Sequence, residues 1–204
     1  MDEQYYEKLF KIKTTGEQKN FNESIHYHRY EPTSYAALEA LSSTYGFSYE
    51  DSIVDFGCGK GRLNFYINYF FDSSVTGIEM NNFFYKQAVE NKKSYLQIYK
   101  NKKDKINFSN CLAEKYYINS KDNKFYFFNP FSMQIFSKVI KNILASVDVN
   151  KRAVDVILYY PSNDYIYFLD TNSNFVLINE IKVPYLYDND PRHKFLVYRA
   201  ENYM

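Results

Sequence analysis

The sequence predicts an α/β fold of the doubly wound kind: a mostly parallel sheet with helices on both faces and a C-terminal antiparallel hairpin. Three observations point there. Short runs of β-branched and aromatic residues alternate with segments of helical period through most of the 204-residue chain. Two further strand-like runs then follow one another with no helix between them. Finally, three of only six glycines, Gly57, Gly59 and Gly61, fall directly after the first strand-like run. In a doubly wound sheet that turn opens onto the ligand crevice.

Taken in order, residues 1–30 are polar and aromatic with weak periodicity, and read as a helix or a surface extension. Pro32, Thr33 and Ser34 start a helix whose apolar face is Tyr35, Leu38, Leu41 and Tyr45, closed by Gly46. Ser52–Phe56 is the first strand, and the helical period returns from Lys60 to Phe71. Ser74–Glu79 is the second strand, followed by a helix capped by Asn81 or Asn82. Lys105–Asn110 is the third strand and Asn123–Phe128 the fourth, before an amphipathic helix. Ala153–Tyr160 is the fifth strand and Ser162–Asp170 a short helix. The runs 174–183 and 194–200 form the closing strand pair, joined by a polar loop over 184–193. The length fits one domain over 1–204, with 1–30 as an N-terminal extension and 31–204 as the core.

Composition narrows the function classes. With 25 basic and 24 acidic residues, no global field draws the chain to nucleic acid or an anionic membrane. The N-terminus lacks an apolar signal core, and the most apolar stretches fall short of the roughly 20 residues a membrane span needs. Two cysteines, Cys58 and Cys111, make neither a disulfide framework nor a metal spacing, so a reducing cytoplasm is expected.

The glycine turn is preceded by an acid, Asp55, and a second acid, Glu79, ends the second strand. The spacing is G-x-G-x-G, and Arg62 stands where a dinucleotide fingerprint has its third glycine; a phosphate-loop lysine motif is absent. Negative charge at Asp55 suits a ligand carrying ammonium or sulfonium, and Glu79 is placed to accept ribose hydroxyls. Asp55-Phe-Gly57-Cys-Gly59-Lys-Gly61 with Val75–Glu79 resembles the class I (Rossmann-like) S-adenosylmethionine-dependent methyltransferases over roughly residues 30–200. The resemblance implies a seven-stranded sheet with its last strand antiparallel and S-adenosylmethionine as cofactor. It places Asp55 by the amino-acid part, Gly57, Gly59 and Gly61 along methionine and ribose, and Glu79 on the ribose hydroxyls. It sets Asn110, Cys111 and Leu112 beside the adenine. It also implies that the Tyr-x-Pro-Thr segment, with Tyr30 and Thr33, closes over the cofactor.

The fourth strand ends in Asn129-Pro130-Phe131, which resembles the Asn-Pro-Pro-aromatic motif of amino-group methyltransferases with one proline missing. That resemblance implies that Asn129 and the Pro130 carbonyl accept from the target N–H while Phe131 stacks on the substrate. A plain alternative makes Asn129 an N-cap and Pro130 the first helical residue. The expected activity is methyl transfer, to nitrogen, on a small amine, a protein side chain or a nucleobase. Specificity is expected from residues 1–35 and the 184–193 loop. The rival is a non-catalytic scaffold that keeps the fold; a nicotinamide oxidoreductase is disfavoured by the glycine spacing. Cys58 reads as a small side chain in a crowded turn. His26 and His28 read as a surface pair without a third metal ligand, and Lys100–Lys105 as a charged loop. Tyr159, Tyr160 and Pro161 end the fifth strand on the ligand side, either shaping a substrate pocket or closing a buried strand.

Overall fold

The computed structural model describes residues 3–16, 30–172 and 174–200. Seven strands form one sheet: β1 (Ser52–Phe56), β2 (Ser74–Ile78), β3 (Ile106–Ser109), β4 (Lys124–Phe127), β5 (Val154–Tyr159), β6 (Val176–Lys182) and β7 (Lys194–Ala200). Their order is β3-β2-β1-β4-β5-β7-β6. Strands β1 to β5 pair in parallel, and β7 runs antiparallel to both neighbours. The order reverses between β1 and β4, so the switch point lies where those two strands end. The expected seven-stranded Rossmann-like sheet with its terminal hairpin is present.

Alternation along each strand divides the core in two. Ile53, Val75, Ile106, Tyr126, Ile157 and Phe195 face one layer of helices. These are α1 (Glu3–Phe10), α2 (Tyr35–Thr44), α3 (Arg62–Phe71) and α4 (Asn82–Ile98). Val54, Phe56, Phe125, Phe127, Val156 and Leu158 face α5 (Met133–Val149) and α6 (Asn163–Asp170) on the other side. Side-chain caps form on three helices. Ser34 accepts from the Ala37 N–H, Asn81 from Phe83 and Ser162 from Tyr165. Strand ends fall within a residue or two of the sequence-based limits.

Three expectations are corrected. The helix after β4 begins at Met133 with Ser132 as its N-cap, so Asn129 is no cap and Pro130 no first helical residue. Asn129 instead takes a left-handed φ of +40°, whereas an N-cap residue sits in the extended region. Lys100–Lys105 is a 3-10 turn rather than an irregular loop; its Lys102 and Lys105 each pair with Asp72 at 2.6 Å. The 184–193 connection holds a helical turn, α7 (Leu186–Asn189).

At the end of the sheet where the parallel strands begin, Asp155 is fully buried within a charged network. Arg199 donates to both its oxygens at 2.7 and 3.0 Å, Lys124 donates at 2.7 Å, and the Tyr45 hydroxyl donates as well.

Candidate active site

The turn after β1 is built by protein contacts on every side. Gly57 and Gly59 both have positive φ, +82° and +55°, which a residue with Cβ adopts only at a cost. A Cβ on Gly57 would stand 2.7 Å from Pro130 Cβ, and one on Gly59 would collide with the Tyr30 ring. The side-chain space at these two glycines is thus taken by Pro130 and Tyr30. Gly61 is the N-cap of α3. The backbone donors are also engaged. Gly57 and Cys58 N–H donate to the Ile78 carbonyl, Gly59 N–H to Glu79 and Gly61 N–H to the Cys58 carbonyl. Four inward-bonded N–H groups leave this turn a poor phosphate cradle.

The acids behave differently. Glu79 is buried and bound through one oxygen by Gly59 N–H at 3.0 Å and through the other by Asn81 N–H at 2.7 Å. Each oxygen retains a lone pair for a further donor. Burial raises the Glu79 pKa against the pull of those N–H groups. Asp55, only 4% exposed, accepts no hydrogen bond among the described residues. Burial, and then the nearby Glu79, push its pKa up to about 8. Cys58 is buried beside both acids; burial first, and then their charges, raise its thiol well above the ordinary range. That leaves it protonated and unsuited to nucleophilic work.

The N-terminal residues roof this turn. The Tyr30 hydroxyl donates to the Thr14 carbonyl at 2.7 Å, its ring stacks on Phe84 at 4.7 Å, and the Lys60 ammonium lies 5.0 Å from its centre. Thr33 is buried, sharing a hydrogen bond of 2.7 Å with the Tyr126 hydroxyl, beside Asp55 in the β1–β4 register. Arg62 ties these pieces together. It pairs with Glu3 at 2.6 Å, donates to Thr14 Oγ1 at 2.7 Å and to the Thr33 carbonyl at 3.2 Å, and lies over Tyr35. Sequence reasoning treated Arg62 only as a missing glycine. Its hydrogen-bond partners lie 29 and 48 positions away, and nothing in the local pattern announces them.

Beyond β3, Asn110 Nδ2 donates to the Glu79 and Met80 carbonyls at 2.7 and 3.1 Å, steadying the turn that carries Glu79. Cys111 lies 3.5 Å from Ser109 Oγ, and Leu112 is exposed beside it.

At the end of β4 the expected trio separates. Pro130 abuts Gly57, and Asn129 adopts its left-handed turn. Phe131, expected to stack on a substrate, is instead 2% exposed and packs edge-on against Phe127 in the α5–α6 core. The aromatic thus lies in the layer of α5 and α6 rather than at the crevice. The aromatic surface at this position comes from Phe128 and from Tyr160, which follows β5 with φ +49°. Their rings meet at 6.2 Å. Tyr159 is buried against Phe128 at 4.7 Å, and its hydroxyl shares a 2.9 Å hydrogen bond with His193 Nδ1. Tyr160 donates to Asp190 at 2.6 Å, so the 184–193 connection closes this side.

His26 and His28 lie outside the described residues. Among the described residues, no three His, Cys, Asp or Glu side chains gather as a metal site, and no helix is long and apolar enough to cross a membrane.

No protein-family model matches the sequence, and no curated protein matches it significantly. Solved structures do match. An RNA methyltransferase from Salinibacter ruber, bound to S-adenosyl-L-homocysteine, superposes with a TM-score of 0.54 at 13% identity, covering 85% of this chain and 96% of that one. A SAM-dependent methyltransferase from Thiobacillus denitrificans, also bound to S-adenosyl-L-homocysteine, gives 0.55 at 10% identity over 83% and 91%. The candidate methyltransferase yhhF of Escherichia coli gives 0.61 at 14% identity over 85% and 89%. By this likeness, the chain has the Rossmann-like fold of S-adenosylmethionine-dependent methyltransferases.

Proposed function

We propose that the protein is an S-adenosylmethionine-dependent methyltransferase acting on a nitrogen acceptor. The observation that carries this reading is Asp55: a buried carboxyl that accepts no hydrogen bond among the described residues, at the switch point of the sheet. A cationic ligand part restores its ionised form, and the inward-bonded N–H groups of the turn disfavour a pyrophosphate. The residues present fit S-adenosylmethionine: Asp55 toward its amino-acid part, Glu79 toward the ribose hydroxyls, and Asn110, Cys111 and Leu112 beside the base. Tyr30 and Thr33 form the cover. When bound, the cofactor supplies an electrophilic methyl group on a sulfonium.

On the acceptor side, Pro130 touches Gly57, so the two subsites adjoin. Asn129 and the Pro130 carbonyl are assigned to accept from the target N–H and hold its lone pair in line. Phe131 keeps only a packing role. Two free cysteines suit the reducing cytoplasm as the setting.

Titration with S-adenosylmethionine tests the cofactor assignment. Binding is expected, and Glu79→Ala should weaken it by about 1.5–3 kcal/mol, as for lost charge-assisted hydrogen bonds. An NADH response with none to S-adenosylmethionine would overturn it. The scaffold reading is favoured by one observation, the Tyr30 ring seated on Gly59. Cofactor binding without transfer to any acceptor class would support it.

A further inference from the structure

Charge is spread unevenly along this near-neutral chain. Residues 8–13 and 82–105 hold ten of the 25 basic residues, all of them lysines, but only Glu90 and Asp104 of the 24 acidic ones. The rest of the chain is therefore acidic on balance, and a near-zero total hides a local positive field.

The fold brings these two stretches together. Residues 9–13 run antiparallel to α4. The Tyr99 hydroxyl donates to the Leu9 carbonyl at 2.9 Å, Lys11 Nζ to Gln97 Oε1 at 2.7 Å, and the Lys13 N–H to Asn91 Oδ1 at 2.9 Å. Helix α4 buries Phe84, Ala88, Asn91 and Tyr95, and turns Lys86 and Lys93, two turns apart, to the outside. Its foot leads into the Lys100–Lys105 turn. Lys8, Lys13, Lys86, Lys100 and Lys103 are exposed and, among the described residues, pair with no acid. The acids nearby are engaged instead with other partners. Glu3 and Glu7 pair with Arg62 at 2.6 and 3.7 Å, Glu90 with Lys93 at 3.2 Å, and Asp72 is shared by Lys102 and Lys105. Asp104 stands between Lys103 and Lys105 in sequence.

Rings flank these lysines. Phe83 is exposed at the head of α4. Tyr5 and Phe70 are exposed toward its foot, where Tyr69 links Phe70 to Tyr99 with ring centres 4.9 and 5.2 Å apart. The helix starts three residues after Glu79, so the face reaches from the foot of the sheet to the candidate site. Free lysines take up phosphates by charge. Exposed rings among them add stacking surfaces for unpaired bases.

We propose that this face, the outer side of α4 with residues 8–13 and Lys100–Lys105, is a docking surface for single-stranded nucleic acid. The lysines hold the phosphates and the rings receive bases. The surface goes beyond the Asp55 and Glu79 site and does not rest on its assignment.

The test is fluorescence anisotropy of the full chain with labelled strands of about 16 nucleotides, one RNA and one DNA of the same sequence, over a salt series. Sedimentation with phosphatidylserine vesicles runs in parallel. At least one strand should bind, with log affinity falling linearly in log salt. The triple variant Lys13→Gln, Lys86→Gln and Lys103→Gln should make that slope shallower by about 2, at about 0.7 per lost phosphate contact, and weaken binding about tenfold or more near 0.1 M salt. A second triple, Lys115→Gln, Lys138→Gln and Lys141→Gln, changes exposed lysines of the α5 layer and should alter neither. Phe83→Ala should weaken binding about fivefold with the slope unchanged. All these side chains are exposed, so each variant should keep the wild-type unfolding midpoint, which separates site loss from misfolding. Failure of both strands to bind, undiminished affinity in the first triple, equal losses in the two triples, or vesicle binding without strand binding would overturn the proposal. No cofactor is needed, so such a failure leaves the reading of Asp55 and Glu79 untouched.

Discussion

Two aspartates lie on the same face of the sheet, at opposite ends, and they differ in almost every physical respect. Asp155 has no exposed surface and four donor contacts from Arg199, Lys124 and Tyr45, and these bonds outweigh burial to hold its pKa below the usual carboxylate range. Asp55 is 4% exposed, accepts no hydrogen bond among the described residues, and has its pKa pushed up to about 8. The same residue type is thus completed by its own protein at one end and left incomplete at the other. A buried charge without partners is costly, and such groups gather where a ligand completes them. The closed end holds strands together; the incomplete end marks the site.

The largest expected effect falls at the closed end. Asp155→Ala leaves two cations facing each other and should cost about 3 kcal/mol of stability in urea unfolding, toward the lower range for broken buried pairs. Asp55→Asn, by contrast, should leave stability unchanged or raise it; a comparable loss in both variants would break the contrast. Next, Glu79→Ala should weaken cofactor binding as stated above and also lower the unfolding midpoint, because it leaves the buried Gly59 N–H without its acceptor. Gly59→Ala should cost about 2 kcal/mol, from the positive φ and the collision with Tyr30. Adding Tyr30→Ala should return the collision part, so the pair should be non-additive in a double-mutant cycle.

The two ends should also give pH slopes of opposite sign. Asp155 is depressed in the folded state, so its stabilisation is present above the unfolded carboxylate value of about 3.9 and is lost as pH falls through its folded value. Asp55 is raised, so its contribution is full below about 3.9 and is lost as pH rises toward about 8. In the ligand-free protein, Asp55→Asn should remove part of the decline in stability between those limits. A wild-type and variant pH profile that run parallel would contradict the assignment.

Local patterns made most of the fold legible. Strands such as Ser52–Phe56 and caps such as Ser34, Asn81 and Ser162 depend on neighbours within a few residues, so their signals are written in place. The two acids were legible because one stands just before the glycine turn after β1 and the other directly follows β2. What escaped depends on distant contacts. Whether Phe131 faces the crevice or the lower core is set by an irregular turn through Asn129, and the turn has no periodicity to read. The Arg62 hub joins α1, Thr14 and Thr33, and the Tyr159–His193 pair spans β5 and the hairpin loop. The close approaches of Pro130 to Gly57 and of Tyr30 to Gly59 likewise exist only once the sheet order is known.

The most direct test is to measure the protons exchanged when S-adenosylmethionine binds. Calorimetry at pH 7 in two buffers of different ionisation enthalpy reports that number. If the cofactor's cationic part completes Asp55, the wild type should release close to one proton on binding, about as expected for a carboxyl moved from about 8 to well below 7, and Asp55→Asn should bind more weakly without that release. Identical proton counts in the two proteins, or undiminished affinity in the variant, would contradict the claim that the incomplete aspartate is the cofactor's partner.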